Sequence, residues 1–153
     1  PRFPPGECIA VTLTPATEPI RNNLQQALKW WTSTGCGRVC FEAIGSEADD
    51  LPDEGTAGSR EIRFVIRDTV PPSMLSHAVT TFKTDTGETI RSVVQMVSAD
   101  AGVGMIAHDV GDALGLEHTS GGVMDPNANI AQVQSGLSAT DVDRICTAYP
   151  LCE

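Results

Sequence analysis

The chain is short of positive charge: ten Lys and Arg stand against twenty Asp and Glu, a net charge of −10. Phosphate binding needs a basic stripe, so this balance excludes a nucleic-acid partner and argues equally against an anionic membrane surface. Long apolar runs are lacking too. The longest, such as 103–107, fall far below the roughly 20 residues that cross a bilayer as a helix. No CxxC pair occurs, which removes a structural zinc knuckle. Repeats are absent, as is any linker that would divide the chain. Its 153 residues suit one domain with a single core. No signal peptide is read and the chain begins at Pro1, which fits either a mature, processed chain or a trimmed one.

What is there points to a globular domain, with 41% apolar residues. Five cysteines, at 8, 36, 40, 146 and 152, suggest an oxidising compartment and a secreted protein. The first pairing to expect is local, Cys36 with Cys40 and Cys146 with Cys152, which leaves Cys8 free; other pairings are equally legal by sequence. The acidic stretch 47–54 (EADDLPDE) either offers carboxylate oxygens to calcium or is a solvated surface loop.

The coarse order is strand, helix, four strands, then two helices. Residues 8–13 (CIAVTL), 39–44 (VCFEAI) and 61–66 (EIRFVI) read as strands, and 78–82 and 90–97 as two more around the turn 85–87. Between the first two, Ile20, Leu24, Ala27, Leu28 and Trp31 recur at helical spacing within 19–32. One of Trp30 and Trp31 packs inside and the other lies on the surface. A second helix over 101–114 closes at Gly115. A third begins at Ser138, an N-cap with Asp141 at the capping-box position.

The informative segment is 106–126, IAHDVGDALGLEHTSGGVMDP. His108 and Asp112 are four residues apart and share one helix face, one turn apart. Gly115 lets the chain turn away, and His118, three residues on, can swing back to the same point. Two imidazoles and a carboxylate form a ligand set that zinc accepts with one position open. Asp109 is rotated about 100° from His108 around the helix, which aims it at the surroundings of such a metal. Met124 is placed to turn beneath the site as an apolar floor.

This segment resembles the metzincin signature H-E-x-x-H-x-x-G-x-x-H with its Met-turn. His108, Gly115, His118 and Met124 match in place. Asp109 stands where the family has its catalytic Glu, and Asp112 where it has its second zinc-binding His. The ending 137–149 is similar to the last helix of matrixins. The resemblance implies an α+β zincin fold: a twisted, mostly parallel five-stranded sheet, a backing helix, an active-site helix and a C-terminal helix. It implies one catalytic domain over 1–153, with an upper subdomain of about 1–115 and a lower one of about 116–153. It also implies a monomeric, secreted zinc endopeptidase acting on proteins. His108, Asp112 and His118 would hold zinc, Asp109 would be general base and then acid, and Met124 would support the site. Val94, Gln95 and Met96 would belong to the edge strand that holds substrate in extended form. The loop 119–136 would shape the pocket for the side chain after the scissile bond. The segment 75–78 looks like the one that supplies a structural zinc ligand in matrixins, but the partners His77 would need are not apparent, and a surface His77 is the reading adopted. Cys8 as an inhibitory thiolate on the metal ranks below Cys8 paired in a disulfide or simply packed at the first strand.

The two departures have physical consequences. Asp112 is shorter than His and adds negative charge, which makes a metal-bound water less acidic. Asp109 is one methylene shorter than Glu, and a misplaced base sacrifices most of the roughly 10²–10⁴-fold that general-base catalysis contributes. The changes can also compensate, since a metal drawn towards the helix by Asp112 sits nearer Asp109. The runner-up function is an inactive pseudopeptidase that binds protein without cutting it. A non-haem iron enzyme ranks third, because two His and a carboxylate also describe its facial triad.

Overall fold

The structure is a computed structural model, and it describes residues 1–35, 39–48, 60–68, 70, 75–126 and 135–150. Strand β1 is Ala10–Leu13, and a 3₁₀ turn over Pro15–Ile20 leads into helix α1, Arg21–Thr32. Then follow β2 (Gly45–Ser46), β3 (Glu61–Ile66), β4 (Ser76–Phe82), β5 (Thr89–Met96), α2 (Val103–Ala113) and α3 (Ala139–Ala148). The five strands form one sheet in the order β2-β1-β3-β5-β4, parallel at every pairing except β4 with β5. The fold is therefore α+β with a five-stranded, mostly parallel sheet and three α-helices among the described residues. None of these helices is long and apolar enough to cross a membrane.

Strand alternation builds the core. Val11 and Leu13, Ile62 and Phe64, and Val94 and Met96 point to one face at period two and are buried there. The apolar stripe of α1, Leu24, Ala27, Leu28 and Trp31, packs into the same cluster, as do Val103, Ile106, Ala107 and Val110 of α2. Trp31 is the fully buried member of its pair, and its indole N–H donates to the Ala107 carbonyl at 2.9 Å. That bond ties the backing helix to the helix that carries the candidate ligands. Tyr149 makes a second tie. Its hydroxyl accepts from the Phe3 amide at 3.2 Å and donates to the Leu114 carbonyl at 2.7 Å. The N-terminal segment, the end of α2 and the end of α3 thus meet on one phenol. Burial pushes its pKa up to about 12, so it remains a neutral donor.

Three expectations are corrected. The strand expected over 39–44 is instead a bridge at Phe41 to Ile9, followed by β2 at Gly45–Ser46. Between them the carbonyl of Ile44 accepts from the Arg21 guanidinium at 3.0 Å, and pairing with β1 resumes only at Gly45. Second, Cys8 is not free. It is bonded to Cys40, and this joins the two chains exactly where backbone pairing between residues 9 and 40–42 brings them together. Cys146 is also disulfide-bonded; Cys36 and Cys152 lie outside the described residues, as does most of the acidic stretch 47–54 raised for calcium.

Third, Val94, Gln95 and Met96 are not on an edge. They pair with Phe64, Val65 and Ile66 of β3 on one side and with Ala78, His77 and Ser76 of β4 on the other. The hairpin turn after β4 folds that strand to the outside, so among the described residues β4 is the edge and β5 is interior. An alternating apolar pattern reads the same for both positions.

The Cys8–Cys40 bond closes a loop across 32 residues of sequence. Replacing both cysteines by Ser is expected to lower unfolding stability by about 2–4 kcal/mol. Denaturant melts of the oxidised chain and the double variant check this, and equal midpoints would refute it.

Candidate metal centre

Helix α2 supplies two of the three candidate ligands because of its length and its ending. His108 and Asp112 sit on successive turns of one face. The helix ends at Gly115, whose φ is +78°. The Gly115 amide donates to the Asp112 carbonyl and the Leu116 amide to the Gly111 carbonyl, both at 3.0 Å. These two bonds make a Schellman ending, which needs a left-handed residue after the C-cap. A side chain at Gly115 would also collide with the Pro1 carbonyl. The reversal carries His118 back over the helix face.

The three side chains converge. Asp112 Oδ2 lies 3.2 Å from His108 Nε2, and Asp112 Oδ1 lies 3.0 Å from His118 Nε2. The two imidazole centres are 5.0 Å apart. Among the described residues this is the one group of three or more His, Cys, Asp or Glu whose ligand atoms all lie within 4.8 Å of one another. The burial is graded: His108 is buried, Asp112 half-buried and His118 exposed. Such a site has a protein side and an open side. His77 lies on β4 opposite Gln95 and outside this group.

The surroundings orient the ligands. His108 Nδ1 faces the carbonyl of Val123. A carbonyl only accepts, so Nδ1 must carry the hydrogen, and in the neutral ring this leaves the lone pair on Nε2, the atom facing Asp112. Next to Val123, Met124 is fully buried. It packs so closely on α2 that a side chain at Gly111 would collide with its sulfur. That places Met124 against the helix that carries His108 and Asp112.

One residue holds this turn in place, and only its capping role is legible in the sequence. Asp141 is fully buried. Its carboxylate accepts from the amides of Val123 at 3.0 Å, Met124 at 3.1 Å and Ser138 at 2.8 Å, and from the Ser138 hydroxyl at 2.9 Å. Charge-assisted bonds of this kind are stronger than neutral ones. The capping acid of α3 therefore also fixes the loop that orients His108. Nothing in the spacing of residues 123 and 141 announces that contact.

Asp109 is buried, at 3% exposure. Its Oδ1 accepts from the Ser76 hydroxyl of β4 at 2.6 Å, while among the described residues nothing hydrogen-bonds Oδ2. Burial raises its pKa, and although the Ser76 bond and the nearby His108 oppose that, it stands at about 7 rather than 3.8. For His108 burial disfavours the charged ring, but the hydrogen bond and charge of Asp112, with the Val123 carbonyl and Asp109, outweigh it and raise the pKa from 6.5 to about 9.

Compared with known proteins, the chain matches no family model, and no curated protein matches it. The part of the loop at 127–134, expected to shape a substrate pocket, lies outside the described residues.

Both shifts have the same sign. In the metal-free chain the folded state holds the Asp109 and His108 protons more tightly than the unfolded state, so stability is lost as pH rises. The Asp109 contribution falls between pH 3.8 and about 7, and the His108 contribution between 6.5 and about 9. Thermal melts in chelator should show a midpoint that declines from pH 5 to pH 9. Asp109→Asn should flatten the lower half of that decline, and an unchanged slope there would contradict the assignment.

Proposed function

We propose that the chain is a zinc-dependent peptidase that cleaves peptide bonds, with His108, Asp112 and His118 as the metal ligands. The observation that carries this reading is the convergence of the three donors around Asp112, on a helix-Gly-His-Met framework that resembles the metzincin signature. The residues fit a metal chemically. Two imidazole nitrogens and a carboxylate are a zinc donor set. The His108 ring is held by a backbone carbonyl on its other nitrogen, the support that ligand histidines ordinarily have. When bound, zinc supplies Lewis-acid polarisation of a peptide carbonyl and of water.

The protein groups divide the remaining work. Val123 fixes the His108 ring, and Asp141 fixes Val123. Asp112 places a full negative charge between the two imidazoles. Asp109 is the general base. Its Oδ2 has no hydrogen-bond partner among the described residues, which leaves that oxygen to accept a proton. Substrate adds as a strand to β4, which among the described residues pairs only with β5. Exposed Val79 and Phe82 of β4, and Leu75 just before it, give that edge apolar contacts for an extended peptide.

The test is a peptide-library digest with the zinc-loaded chain, analysed by mass spectrometry. Cleavage should disappear with chelator and return with zinc. Asp109→Asn should lower kcat by about 10²–10⁴-fold. A chain that holds zinc yet cuts no peptide would overturn the reading and turn attention to protein binding without cleavage.

A further inference from the structure

Ser76 lies outside the motif over 106–126, yet its side chain reaches Asp109 within it. It is the first residue of β4, paired with Met96 of β5, and just ahead of it the Val97 amide donates to the Leu75 carbonyl at 3.2 Å. Its backbone is thus held in the sheet. From there its hydroxyl donates to Asp109 Oδ1 at 2.6 Å, across 33 residues of sequence and between two different elements.

A buried aspartate on a helix has two side-chain torsions to settle. One strong hydrogen bond from a rigid strand settles the plane of its carboxylate and distinguishes its oxygens. Here Oδ1 is occupied by Ser76, and Oδ2 is the oxygen that no described residue hydrogen-bonds. We propose that Ser76 is a positioning residue, whose hydroxyl fixes the Asp109 carboxylate so that Oδ2 is the atom that takes the proton. The proposal rests on Asp109 being the base, as argued above. It follows that the strand offered to substrate and the base that acts on it are set by a single hydrogen bond.

A bond that merely braces β4 against α2 would leave the same distance in the structure, so the test must separate the two roles. Ser76→Ala removes the donor, and Ser76→Thr keeps a hydroxyl on the same carbon. The first readout is the carboxyl carbon resonance of Asp109 in metal-free, ¹³C-aspartate-labelled protein, assigned by its loss in Asp109→Asn. It should move in the Ala variant and return close to its original position in the Thr variant. The second readout is turnover of a cleaved peptide by the zinc-loaded chain. Ser76→Ala should lower kcat about 10–100-fold with KM changed less than about twofold, and Ser76→Thr should recover most of it, since small misplacements of a reacting group cost rates of this order. A resonance that stays put in Ser76→Ala, or an unchanged kcat, would overturn the proposal. A wild-type chain that holds zinc and cuts nothing would defeat the proton-transfer role together with the peptidase reading, and the resonance would then show whether the hydrogen bond itself was also wrong.

Discussion

A helix that offers two candidate ligands from one face needs its third from chain that doubles back, and here the doubling back happens at Gly115. Two constraints meet at that residue. Its backbone is left-handed, and the Pro1 carbonyl packs where a side chain would stand. Each alone favours glycine; together they exclude any other residue without rearrangement. Everything on the open side of the site depends on this reversal, because His118 reaches Asp112 only if the chain leaves α2 in this direction. Tyr149 secures the same corner by accepting from Phe3 and donating to Leu114 at the end of α2.

The buried side depends on a different anchor. Asp141 gathers four donors, two of them the amides of Val123 and Met124. A buried carboxylate is tolerable only when its oxygens are satisfied in this way. The turn in turn presents Val123 to His108 and packs Met124 on Gly111. The His108 ring is therefore held by backbone geometry that originates in α3, outside the motif itself. Electrostatics adds a tension. Without metal, burial disfavours the charged His108 ring, but the hydrogen bond and charge of Asp112 outweigh it and favour its protonation. A metal ion must displace such protons, so its binding is coupled to pH.

The parts of this arrangement that were legible in the sequence are those set by local spacing. The face shared by His108 and Asp112 follows from the helical repeat, the reversal from Gly115, and the N-cap from Ser138 with Asp141. Strand β3 was legible to the residue, since EIRFVI is a short run rich in β-branched and aromatic residues. The parts that were not legible are long-range. Whether β5 is edge or interior depends on which way a hairpin folds, and alternation does not record that. The Cys8–Cys40 pairing depends on two chains meeting beside β1, and it overrides the local spacing of Cys36 and Cys40. Ser76 and Asp109, or Asp141 and Met124, meet because elements pack, and no short-range pattern marks such pairs.

The central claim is that His108, Asp112 and His118 form one metal centre. X-ray absorption at the zinc edge, recorded on the metal-free chain titrated to one equivalent, tests it most directly. The account predicts a single tightly held zinc with two imidazole nitrogens and a carboxylate oxygen in its first coordination sphere, and loss of that spectrum in His118→Ala. Zinc that binds weakly, or a spectrum without imidazole scattering, would contradict it and leave the cluster as a hydrogen-bonded group on a helix and a loop.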